Sequence, residues 1–141
     1  MVTTTVAVKP GNVIRASVTY SSATNKFTVT IKNINTGATR SATQSVAGAQ
    51  RSSAEWIVER PSLCSAFSCV LSTLANFGTS YFGYDKTGVS GTSYATINGV
   101  NHPISSFTDA AITMVGSGSG PILAKPSPLT SDGMSFTDAY V

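Results

Sequence analysis

The sequence predicts an all-β fold, an antiparallel two-sheet β-sandwich formed as a single domain over residues 1–141, with a small barrel as the runner-up. Three observations predict it. Apolar or β-branched residues alternate with polar ones along most of the chain, and no stretch repeats apolar residues at helical spacing for three turns. Gly, Pro and Asn punctuate the chain at close intervals, as turns between many short strands require. A length of 141 residues suits one compact core, since a chain of this size hides about two thirds of its extended surface on folding.

Taken in order, Thr3 to Val8 and Val13 to Tyr20 are expected as strands joined across Lys9-Pro10-Gly11-Asn12, where Pro and Gly supply a turn and a first hairpin. Lys26 to Asn33 sets Phe27, Val29 and Ile31 against Lys26, Thr28, Thr30 and Lys32, and Asn35-Thr36-Gly37 then turns the chain into Arg40 to Val46. Ser53 to Glu59 is expected as a short strand ended by Arg60-Pro61, because proline has no N–H for a ladder and restricts the residue before it. Leu74 to Phe82, Tyr94 to Ile97 and Ala111 to Val115 are further strands. Gly116 to Pro128 is expected as a flexible Gly/Ser/Pro-rich connection, and Gly133 to Val141 as a closing strand carrying Met134, Phe136 and Tyr140.

Composition excludes several classes. Hydrophobic residues make up 41% and charged ones 11%, so solubility rests on Ser, Thr, Asn and Gly, and charge-driven disorder is excluded. The formal net charge is +3, but the nine Lys and Arg are scattered from Lys9 to Lys125 without a run, which argues against a nucleic-acid partner. No stretch approaches the roughly 18 apolar residues of a membrane span, and residues 1–10 lack a signal-peptide layout. Six carboxylates, Glu55, Glu59, Asp85, Asp109, Asp132 and Asp138, leave few ionised acids to be lost as pH falls, so the fold is expected to tolerate acid. Cys64 and Cys69 are spaced for a small disulfide clip, with free thiols as the alternative. A metal site is the weaker reading, since the one histidine, His102, is remote in sequence.

One segment concentrates acidic, aromatic and branched residues: Ser53-Ala54-Glu55-Trp56-Ile57-Val58-Glu59-Arg60-Pro61. On a strand, Glu55, Ile57 and Glu59 share one face and Ala54, Trp56 and Val58 the other, so Trp56 and Val58 belong inward. Four residues of strand separate the two glutamates by about 13 Å. A glycosidase pair needs its carboxyls within about 9.5 Å, so Glu55 and Glu59 are not an acid/base couple. A lone strand glutamate still does acid/base work when a polar partner and an apolar shell tune it. Spacing leaves that reading open beside two ordinary sheet-face glutamates.

The string AEWIVE with its following cysteine loop resembles the catalytic-strand motif of the glutamic peptidases of the eqolisin family and aligns Glu59 with that family's catalytic glutamate. The PGN turn, the INTG turn after the Phe27 strand, the Cys64 and Cys69 pair, the LANFG segment and the AAITMV strand follow the family's order across nearly the whole chain. The resemblance implies a concanavalin- or lectin-like β-sandwich and secretion. It implies Glu59 as general base on a water and then as proton donor to the leaving amine, with a glutamine stabilising the tetrahedral oxyanion. The substrate is unfolded polypeptide in a cleft, at acidic pH, with no metal and no cofactor.

The family's glutamine lies on a strand well before the PGN turn, and Gln44 and Gln50 both align elsewhere. An oxyanion donor is worth roughly 3 kcal/mol and needs close placement. The expectation is therefore a heavy chain that needs an N-terminal light chain, or a shortened homologue turned peptide- or carbohydrate-binding module. Missing early strands leave sheet edges that invite homo-oligomers.

Three other features carry weaker signals. His102 before Pro103, with Asp109 nearby, lacks a Gly-x-Ser-x-Gly elbow and is expected as a polar loop residue. Gly116 to Gly120 lacks the lysine and helix of a phosphate loop. Tyr81, Phe82, Tyr84 and Tyr94 suit either an aromatic binding platform or ordinary sheet packing.

Overall fold

The computed structural model describes residues 5–141, and the chain divides into two compact units, Met1–Ser52 and Ser53–Val141. Every strand pairing among the described residues is antiparallel, as the alternating pattern predicts.

The first unit holds a three-stranded sheet in the order β1 (Ile14–Ser21), β2 (Lys26–Asn33), β3 (Thr39–Gln44). Register places Ala16, Val18 and Tyr20 opposite Ile31, Val29 and Phe27, and these opposite Arg40, Ala42 and Gln44, so one face is largely apolar. The other face is a Ser/Thr surface in which hydroxyls pair across strands, Thr28 with Thr43 at 2.9 Å and Thr30 with Ser41 at 2.8 Å. β2 has the bounds its alternation predicts.

Among the described residues the first expected hairpin is absent. Thr3 and Thr4 lie outside the described residues, residues 5–8 have no regular structure, and β1 pairs with β2 instead. The turn at residues 9–12 is real, with the Asn12 N–H donating to the Lys9 carbonyl at 3.0 Å. What holds the preceding stretch is a side chain. Asn33 is fully buried, and its Nδ2 donates to the Ala7 carbonyl at 2.9 Å and to Asn12 Oδ1 at 2.8 Å. Its Oδ1 accepts from the N–H groups of Asn35 at 3.0 Å and Thr36 at 3.3 Å. All the hydrogen-bonding capacity of one amide is thereby used.

The second unit begins with residues 53–61, which have no regular structure, so the expected strand Ser53–Glu59 is absent. Alternation dictates an extended backbone, but a ladder also needs a neighbouring strand, which no local pattern supplies. The hairpin β4 (Ser62–Cys64) and β5 (Cys69–Leu71) follows, with Cys64 opposite Cys69 and the two joined as the expected disulfide. β6 (Thr79–Phe82) is shorter than expected, because Asn76 turns the chain by accepting from the Gly78 N–H at 2.9 Å. A single helical turn, α1 (Tyr84–Thr87), precedes the hairpin of β7 (Tyr94–Ile97) and β8 (Val100–Pro103) and a 3-10 turn at Ile104–Ser106. β9 is reduced to Met114–Val115.

β10 (Ile122–Pro126) corrects the expectation of a flexible connection over residues 116–128. It is an inner strand of a four-stranded sheet, ordered β6, β11 (Phe136–Tyr140), β10, β9. Ala124 is 1% exposed and anchors it, while Gly116 to Gly120 is the tight turn joining it to β9. The core of this unit is small: Leu74, Ala124 and Phe136 are its buried apolar residues, and Phe136 stacks on its cross-strand partner Phe82 with ring centroids 4.5 Å apart. No helix among the described residues is long and apolar enough to cross a membrane.

Replacing Asn33 by alanine strands two N–H groups and a carbonyl, so Asn33→Ala is expected to destabilise the first unit by about 2–4 kcal/mol. Urea unfolding followed by tyrosine fluorescence measures it, and a change below about 1 kcal/mol would show that water satisfies those groups equally well.

Candidate active site

Residues 55–60 keep the alternation that the sequence predicts even without a ladder, whereas Ala54, expected on the inward face, is exposed. Trp56, Val58 and Arg60 are half-buried, whereas Glu55, Ile57 and Glu59 are exposed. Glu59 faces solvent, with no hydrogen-bond partner among the described residues. A carboxylate so placed is open to water. Gln44, on β3, and Gln50, whose Nε2 donates weakly to the Gly48 carbonyl at 3.5 Å, are both exposed residues of the first unit.

The histidine is structural in its surroundings. His102, on β8, is half-buried and meets the edge of Phe107 at 5.9 Å, while Asp109 is exposed. The expected aromatic platform divides by strand alternation. Phe82 turns inward onto Phe136, whereas Tyr81 on the opposite face is 59% exposed and Tyr84 is 51% exposed. Tyr94 instead lines a cavity of about 280 Å³ with Gly91, Asn101, Pro103 and Met134. That cavity was not legible in the sequence, because its walls come from a hairpin and a turn about 40 residues apart.

Beside Met134 lies a polar cluster the motif reading missed. Asp132 Oδ1 accepts from Thr130 Oγ1 at 3.0 Å and from the N–H groups of Met134 at 2.7 Å and Ser135 at 2.8 Å. Its Oδ2 accepts from Ser135 Oγ at 2.5 Å. Ser135, fully buried, accepts in turn from the Asp85 N–H at 3.0 Å, and Thr130 Oγ1 also lies 2.8 Å from the Asp85 carboxylate. The backbone must pass close here: a Cβ on Gly83, which has φ 80°, would lie 2.6 Å from Ser135 Cα. Burial pushes the Asp132 carboxyl up, but the hydrogen bonds from Ser135, Met134 and Thr130 outweigh it and hold it at about 2. This cluster ties α1 to the turn before β11 and supports the sheet rather than offering a free reactive group.

The peptidase A4 family matches residues 1–120, a span that includes the Glu59 segment and the disulfide hairpin. The chain belongs to the peptidase A4 family. The crystal structure of aspergilloglutamic peptidase from Aspergillus niger superposes with a TM-score of 0.70 at 25% identity, covering 99% of this chain and 72% of that one. The antiparallel strands thus match a glutamic-peptidase β-sandwich. No curated protein matches the sequence. Family membership and structural likeness together support a glutamic-peptidase-like function.

Because the Asp132 carboxyl is held below the ordinary aspartate value, its contribution to stability is complete above about pH 4 and is lost as pH falls towards 2. The melting temperature of Asp132→Asn is expected to lie below that of the parent at pH 5, with the gap closing by pH 2; a gap that stays constant would contradict this role.

Proposed function

We propose that this chain contributes the acid/base glutamate of a secreted glutamic endopeptidase that cuts polypeptides in acid, with the oxyanion-stabilising amide supplied by a segment outside it. The observation that carries the reading is that a peptidase A4 match runs through an exposed glutamate held between half-buried Trp56, Val58 and Arg60.

In this mechanism ionised Glu59 takes a proton from a water as the water oxygen bonds to the scissile carbonyl carbon. The carbonyl electrons move onto oxygen, where an amide N–H donor stabilises the charge. The tetrahedral intermediate collapses, the C–N bond breaks, and Glu59 returns its proton to the leaving amine. Two carboxyls are not needed, which agrees with Glu55 having no assigned part. The Cys64–Cys69 disulfide suits an oxidising, extracellular compartment.

Gln44 and Gln50 carry no part in this proposal. A light chain, or a second copy meeting the open edges β1, β3, β6 or β9, is the proposed partner class. A second reading, a peptide- or carbohydrate-binding module without cleavage, draws on the exposed Tyr81 and Tyr84.

Digestion of a denatured protein at pH 3 to 5 tests the assignment. Activity is expected to fall by about 10²–10⁴-fold in Glu59→Gln, the range for losing a positioned acid/base group. Activity that survives Glu59→Gln removes that residue from the mechanism. Activity that appears only on adding an N-terminal segment supports the split arrangement, and none in either arrangement leaves the binding module.

A further inference from the structure

Asp138 occupies the middle of β11, an inner strand flanked by β6 and β10. It is 8% exposed, and its Oδ1 has no hydrogen-bond partner among the described residues. Its cross-strand neighbours are Ser80 on β6 and Pro126 on β10. Alternation puts Phe136 and Tyr140 of its own strand on the same face, together with Phe82 and Ala124.

No cation answers this carboxyl from the packed strands. Lys125 pairs with Ala139 and so belongs to the opposite face, as does Tyr81, which pairs with Thr137. β6 carries no charged residue, and the titratable group sharing the face is the Tyr140 phenol, itself set edge-on to Phe77 at 6.1 Å. An ionised carboxylate here lacks water on one oxygen and a counter-charge, and a neutral carboxylic acid carries a much smaller penalty.

We propose that Asp138 is a built-in acid switch: the folded sheet holds it as the neutral acid, and its ionisation as pH rises loosens the packing of β6, β11 and β10. Burial pushes its carboxyl up, against a weaker opposing hydrogen bond from the Ala139 N–H. In the unfolded chain the same group ionises near pH 3.9. Above that pH the folded state binds the extra proton, so stability falls as pH rises through the interval up to the folded value. The inference stands on β11 alone and does not depend on the peptidase reading.

The test is a set of thermal melts of the full chain from pH 3 to 8, for the parent and for Asp138→Asn, which keeps the shape of the neutral acid. The parent melting temperature is expected to fall as pH rises above the ordinary aspartate value, while Asp138→Asn shows a flatter profile and the higher melting temperature in neutral buffer. Parallel profiles for the two proteins overturn the proposal. If Asp138→Asn does not fold at any pH, carboxyl-carbon NMR of ¹³C-aspartate-labelled parent decides: one aspartate titrating above the other three supports the switch, and all four titrating at or below the ordinary value overturn it.

Discussion

Backbone groups buried at turns must find hydrogen-bond partners away from water, and in this chain two polar side chains meet that constraint for the strands around them. Among the described residues, the largest fully buried side chains are the polar Asn33 and Ser135. Asn33 binds the stretch from Ala7 to Asn12 to the turn between β2 and β3, and Ser135, through Asp132, binds α1 to the entry of β11. With so few apolar residues fully enclosed, alignment of the sheets depends on these polar joints more than on the volume of a core. Such joints fix one register, because a displaced strand leaves several groups unsatisfied at once.

Sequence alternation was most informative where pairing partners are adjacent in the chain. β2 and β7 fall on their expected residues because each belongs to a tight hairpin, so local pattern and ladder coincide. Ser53–Glu59 has an equally good alternation but no sequential partner, and only the burial rhythm of Trp56, Val58 and Arg60 survives from the expectation. β10 fails in the other direction. Its partners β9 and β11 are its neighbours in the chain, but its Gly, Ser and Pro surroundings resemble a linker and hide the apolar run Ile122-Leu123-Ala124 that pairs with them.

For the candidate site, the glutamate was legible through its motif and not through any local physics. Glu59 is exposed like many surface glutamates, and its significance comes from the family match running through it. Asp132 and Asp138 had no motif to mark them. Their importance is a matter of tertiary environment: one carboxylate gathers donors from its own turn and from Thr130, and the other is enclosed by its cross-strand neighbours.

These two aspartates lie on one short stretch yet favour opposite charge states. Asp132 secures its turn when ionised, and Asp138 fits its strand when neutral. Mildly acidic solution, between the lowered carboxyl of Asp132 and the raised one of Asp138, meets both preferences together. On the proposal above, a weakly acidic buffer suits both ends of this stretch and is the condition of choice for purification and storage.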